Sequence, residues 1–139
     1  NRNYLISNKL VNNNLNLPVI EFAYQGPLLK YYGDKINIAV TGDINFKIKK
    51  GTNIFEGNCY ESYLVENGDE INILSTNKSV YGYLSVGAEF KLKSQWGSFS
   101  INTKANIGSN NGKKLSNDQE IEIIKINNNY SKKKLNYIN

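Results

Sequence analysis

At 139 residues, with 40% apolar and 21% charged side chains, the chain holds one domain with its own core and excludes a disordered polymer. It has no histidine and a single cysteine, Cys59, which removes Ser-His-Asp triads, Cys-His dyads, Cys-His zinc sites and internal disulfides together. The net charge of +5 comes from scattered basic residues, with one run at Lys132-Lys133-Lys134, and Asn, Lys, Ile and Tyr are enriched together as A/T-rich codons would make them; the charge is read as a solvated surface and no nucleic-acid partner is expected.

Residues 1–13 place Tyr4, Leu5, Ile6, Leu10 and Val11 at helical spacings, which predicts a short helix ended by Asn12-Asn13-Asn14. The rest reads as strands. LPVIEFAY, GPLLKYYG and KINIAVTG follow one another with Gly and Pro at the turns, and the run Ile38-Ala39-Val40 predicts burial on both faces. INFKIKK alternates through Ile44, Phe46 and Ile48, the period of a strand with one wet face. GTNIFEG and NCYESYLV carry short strands, ENGD is a turn, and EINILS alternates again through Ile71 and Ile73. VYGYLSVG and EIEIIKI complete the set, and short strands punctuated by Gly and Asn predict an all-β barrel or sandwich. Residues 1–126 form a single domain on this reading, and 127–139 a polar tail or a connection to a second half.

No run is long and apolar enough for a membrane helix, and no basic-then-apolar start reads as a signal peptide, so a cytoplasmic protein without a membrane partner is expected. Met is absent, even at position 1, and the chain is expected to be a segment of a longer one. Cys59 has no base to activate it and is read as a filler.

In order, NKLVNN, LPVIEF, GPLLKYYGDKINIAVTG, GYLSVGAEF, WGSFS and NIGSNNGKKLSNDQEIEI run through residues 8–126. This series resembles the first half of the carboxyltransferase-like component of bacterial ATP-dependent 5-oxoprolinase, a family also described as allophanate hydrolase subunit 2 or a biotin-dependent carboxyltransferase domain. No one motif is specific; their order and spacing are. The resemblance implies a cyclophilin-like closed β-barrel with one short N-terminal helix, in which Gly42 and Gly87 end strands where the backbone bends or takes positive φ. It also implies part of an ATP-dependent lactam or amide hydrolase, or a related carboxyltransferase, completed by other subunits and by the second half of its own. ATP would be handled within that complex, since no GxxxxGK[ST] loop is present, and biotin would arrive on another chain. The alternative is a non-catalytic, protein-binding regulatory barrel.

The family pattern carries over residue by residue. Tyr83, Gly87, Gly97, Ser98, Ser100 and Gly108 match it, while Ala88 replaces a second glycine, Phe99 an arginine and Ile101 a threonine. The family's first landmark is an Asn-x-Leu-x-Gly-Asn helix end, and the chain has NKLVNN there. Glu89 and Ser98 are the expected catalytic residues, with Tyr83, Gly87, Gly97, Ser100 and Gly108 binding substrate. Losing an arginine removes a planar, always-charged fork that grips carboxylate or phosphate; Lys91, Lys93 and Lys104 restore charge but not that geometry. Glu21, Asp43 and Asp118 are read mainly as surface or turn residues, and Tyr81, Tyr83, Trp96 and Phe99 as core before they are read as an aromatic wall.

Overall fold

A computed structural model describes residues 2–23, 26–77, 81–91, 104–108 and 119–135. The expected helix is α1 (Arg2–Leu10). It ends because the backbone turns left-handed at Asn12, φ 64°. The Asn13 amide then donates to the Asn8 carbonyl at 3.0 Å and the Asn12 amide to the Lys9 carbonyl at 3.1 Å, the paired bonds of a Schellman cap. Asparagine is the residue other than glycine that takes this conformation most readily, which explains Asn12 at a family glycine position.

Among the described residues eleven strands follow: β1 (Ile20–Ala23), β2 (Leu28–Tyr32), β3 (Ile36–Thr41), β4 (Ile44–Lys50), β5 (Asn53–Glu56), β6 (Ser62–Val65), β7 (Glu70–Thr76), β8 (Tyr81–Val86), β9 (Glu89–Phe90), β10 (Lys104–Gly108) and β11 (Gln119–Ile124). They form a four-stranded sheet, β1-β8-β3-β6, and a seven-stranded sheet, β5-β4-β7-β2-β10-β11-β9. Pairing is antiparallel except where β10 lies parallel to both β2 and β11. The all-β expectation holds. The closed cylinder does not: β1 and β6 bound one sheet and β5 and β9 the other, so the described strands make two sheets over a shared core.

Alternation sets that core. Ile38 and Val40 of β3 and Leu84 of β8 meet Ile48 of β4 and Ile71 and Ile73 of β7 in one apolar cluster. Each such side chain contributes about 1.5–3 kcal/mol by leaving water. β3 is buried at every position, as its apolar run predicted, because α1 lies on the sheet's outer face. There Ala39 packs with Leu10 and Val11, while the Ser7 and Ser85 hydroxyls bond at 2.7 Å and Thr41 donates to the Asn3 carbonyl at 3.0 Å.

Two glycines show where the chain is tightest. Gly42 holds φ 111° in the β3–β4 turn, and a Cβ there would lie 3.0 Å from the Tyr81 carbonyl oxygen. Gly82 lets the sheets approach: a Cβ would sit 1.9 Å from Ile44 Cδ1 and 2.7 Å from Phe22 Cε2. Gly87, by contrast, marks a bend at the end of β8 without positive φ.

Candidate functional site

The Gly87–Glu89 bend joins β8 of one sheet to β9 of the other, and three distant parts of the chain converge on it. Asn13 Nδ2 donates to the Val86 carbonyl at 2.6 Å and the Ala88 carbonyl at 3.3 Å. Asn8 accepts from that same Nδ2 at 3.3 Å and donates to the Leu17 carbonyl at 2.7 Å, tying the bend to the loop after α1. Asn127, just past β11, donates its backbone amide to the Gly87 carbonyl at 2.9 Å and its side-chain amide to Asn13 Oδ1 at 3.0 Å. Asn37, at the start of β3, accepts the Gly87 amide on its carbonyl at 2.7 Å.

Glu89 emerges from this frame. It pairs with Ile124 of β11, and its carboxylate lies 3.4 Å from Lys125 Nζ. The carboxylate side chain is about one-third exposed (32%) and Lys125 mostly exposed (72%), so water reaches both partners. Lys125 takes φ 52°, an uncommon conformation for lysine, where β11 ends. A second pair, Lys91 and Glu122 at 3.8 Å, flanks the first.

Gly108 ends β10 opposite Glu122 and Tyr32. It is therefore separated from Glu89 by β11, about 10 Å away at two strand spacings. Tyr83 lies on β8 four residues before Gly87, about 13 Å along the strand. It is buried, pairs with Glu21 of β1, and shares its face with Thr41 under α1. Burial first, and then the charge of Glu21, raise its phenol above the ordinary tyrosine value, so Tyr83 stays neutral. Glu21 and Asp43 are exposed, as expected of surface and turn residues. Ser98, Gly97 and Ser100, with Trp96, Phe99 and Asp118, lie outside the described residues. The structure thus brings Gly87 and Glu89 together, sets Gly108 one strand beyond, and leaves Tyr83 on another face.

Asn13, Asn127 and Lys125 are not singled out by the sequence. The only signal is the matched Asn8 and Asn13 of the helix-end motif, which capping alone accounts for. Chemically, the bend presents a carboxylate beside a cation on a frame whose hydrogen bonds are internally satisfied. The Gly87 amide serves the Asn37 carbonyl, and the Ala88 amide the Val86 carbonyl at 2.8 Å. Among the described residues no group of three or more Cys, Asp or Glu is placed to hold a metal, and no helix is long and apolar enough to cross a membrane.

The described residues thus make a two-sheet β-domain, with a helix over one sheet and Glu89 at a bend between the sheets. The carboxyltransferase domain model, subdomain A and B, matches residues 1–137, and the chain belongs to that family. The crystal structure of a protein named TTHA0988 is similar at 25% identity and TM-score 0.56, covering 72% of this chain and 36% of that one. Urea amidolyase of K. lactis shares the fold at 24% identity and TM-score 0.57, covering 70% of this chain and 6% of the enzyme. Urea carboxylase of Kluyveromyces lactis does so at 23% identity and TM-score 0.57, covering 70% and 8%. This chain therefore spans between a fifth and about a third of the TTHA0988 chains and under a tenth of each yeast enzyme. No curated protein matches it by sequence.

Proposed function

We propose that this domain is one part of a carboxyltransferase-type subunit in an ATP-dependent assembly acting on a small amide, with the 5-oxoproline lactam as substrate and urea-like amides as the nearest alternative. The observation that supports it is the meeting of the family's Asn8, Asn13 and Gly87 positions with Glu89 at one bend, in a chain that matches the family model over residues 1–137. In this reading Glu89 is the general base, poised beside Lys125, and the three asparagines Asn8, Asn13 and Asn127 hold it in place.

Neither ATP nor a biotin-carried carboxyl group fits the bend itself. Both need donors aimed outward, whereas the Gly87 and Ala88 amides point into the fold and Lys125 and Lys91 already face carboxylates. Both would be held by other parts of the assembly.

The test is ATP hydrolysis stimulated by 5-oxoproline, and separately by urea, in the assembly reconstituted from this chain and its neighbouring subunits. Glu89→Gln should lower turnover by about a hundredfold or more, the size of a lost general base, with complex formation unchanged. Wild-type-like turnover would refute the role. A second reading, a non-catalytic protein-binding domain, is favoured by the same internal saturation of the bend. Tight assembly without stimulated hydrolysis would decide for it.

A further inference from the structure

Beyond β11 the chain does not trail away. Starting from Asn127 on the Gly87 carbonyl, it crosses the four-stranded sheet in the order β8, β3, β6. Asn129 passes over β3, its carbonyl accepting from Asn37 Nδ2 at 3.3 Å and from Asn12 Nδ2 at 3.2 Å. The segment then lies on the open edge of β6, where the Ser62 amide donates to the Lys133 carbonyl and the Leu135 amide to the Tyr60 carbonyl, each at 2.8 Å. The residues from 128 to 132 are all exposed, as are Lys134 and Leu135, so apolar burial holds this strap only weakly.

One charged contact stands out at its far end. Lys132 Nζ lies 3.1 Å from Glu61 Oε1, donates to the Ser62 carbonyl at 2.7 Å and sits 4.4 Å from the centre of the Tyr63 ring. Glu61 is held for this by Asn58 at 3.1 Å and by the Tyr63 hydroxyl at 3.0 Å. The near end of the same strap supports the bend carrying Glu89, through Asn127 on Gly87, Val11 and Asn13.

We propose that residues 127–135 are a releasable strap that couples the β6 edge to the Glu89 bend, with Lys132 on Glu61 as its latch. A strap of exposed polar residues gives up backbone freedom for hydrogen bonds that water can replace, so its closure depends on the strongest single contact. Opening the latch frees the strap from β6 first. Loss of Asn129 from Asn37 and Asn12, and of the Ser131 carbonyl from Asn37 at 3.4 Å, then leaves Asn127 as the last tie on Gly87, and the bend loosens with it. Any molecule that competes for the β6 edge would thereby act on Glu89. That regulatory meaning rests on the proposed role of Glu89; the mechanical coupling does not.

Amide hydrogen exchange of the whole chain, read by mass spectrometry, tests the coupling without any activity. Lys132→Gln and, separately, Glu61→Gln should speed exchange about tenfold over residues 127–135, the size expected for one lost charge-assisted hydrogen bond. The same variants should speed exchange over residues 86–90, while residues 44–50 on β4 stay protected and report an intact fold. Exchange that rises only at 132–135, with 86–90 as slow as wild type, overturns the proposal. Because Lys132 is largely exposed (58%), raising sodium chloride to about 1 M in the wild type should reproduce the effect in part. Glu89→Gln turnover in the full assembly is an independent readout, so the functional reading can fail while the coupling stands, and the reverse.

Discussion

Replacing Asn13 with alanine examines the joint on which the bend depends. The side chain donates to the Val86 carbonyl at 2.6 Å and accepts from Asn127 at 3.0 Å, with a longer contact to Asn8 at 3.3 Å. Two good hydrogen bonds are worth about 1 kcal/mol each net, and the Val86 carbonyl keeps the Ala88 amide at 2.8 Å, so no acceptor is stranded. Asn13 is half-buried, so water enters part of the vacated volume and the total should settle near about 2 kcal/mol. For a domain of this size that is about 6–8 °C in Tm. Urea titration followed by circular dichroism measures it. Asn13→Asp keeps the acceptor for Asn127 but turns a carboxylate toward the Val86 carbonyl, and should cost at least as much. Asn127→Ala in a double-mutant cycle with Asn13→Ala should show coupling of about 1 kcal/mol. A loss below about 0.5 kcal/mol for Asn13→Ala, or strict additivity of the pair, would refute the view that these asparagines act as one joint.

Three further outcomes follow from the packing and the titrating groups. Gly82→Ala should destabilise by about 1–3 kcal/mol through overpacking against Ile44 and Phe22, and Ile44→Val in that background should restore part of it, both read from urea midpoints. Burial raises the Glu61 carboxyl, but hydrogen bonds from Asn58, Lys132 and Tyr63 and the Lys132 charge outweigh it and hold the group below its ordinary value of 4.5. A depressed folded value means the contribution is present above pH 4.5 and lost as pH falls through the folded value, so midpoints should drop on acidification below 4.5 and Glu61→Gln should flatten that limb. Burial first, and then the charge of Asp43, push the Cys59 thiol above its ordinary value; at about pH 8 iodoacetamide should alkylate it several-fold more slowly than a free thiol, and unfolding in urea should abolish the difference.

Sequence alone locates most strands because alternation is a local signal. Ile44, Phe46 and Ile48 read as the buried face of β4 and are so, and the apolar run in β3 foretells a second covering layer. The two strands that sequence does not reveal have no such signature. β9 is two residues long, and β10 owes its place to parallel neighbours on both sides, a pairing across distant sequence that KANIG does not advertise. The closed cylinder came from family resemblance; alternation tells which face of a strand is wet, but nothing about whether sheet edges meet. Glu89 is expected from the resemblance, as an acidic residue in the loop after the Tyr-Leu strand, and the structure places it at the bend between the sheets. The Asn13–Asn127 joint is not, since it links polar residues 114 positions apart and polar residues carry no period.

The departures from the family pattern then divide by what the backbone asks. At residue 12 the chain needs a left-handed conformation, and asparagine supplies it in place of glycine. At residue 88 no positive φ exists to demand glycine, and the Ala88 methyl belongs to the buried core between the sheets. That methyl therefore packs inward, away from the face on which Glu89 meets Lys125. Ala88→Gly should accordingly cost about 1–2 kcal/mol, from the lost methyl burial and the freer unfolded chain. Turnover in the full assembly should not change. If restoring the family glycine instead raised turnover tenfold or more at unchanged stability, the methyl would be an obstacle to a ligand, and the inward packing assigned to it would be wrong.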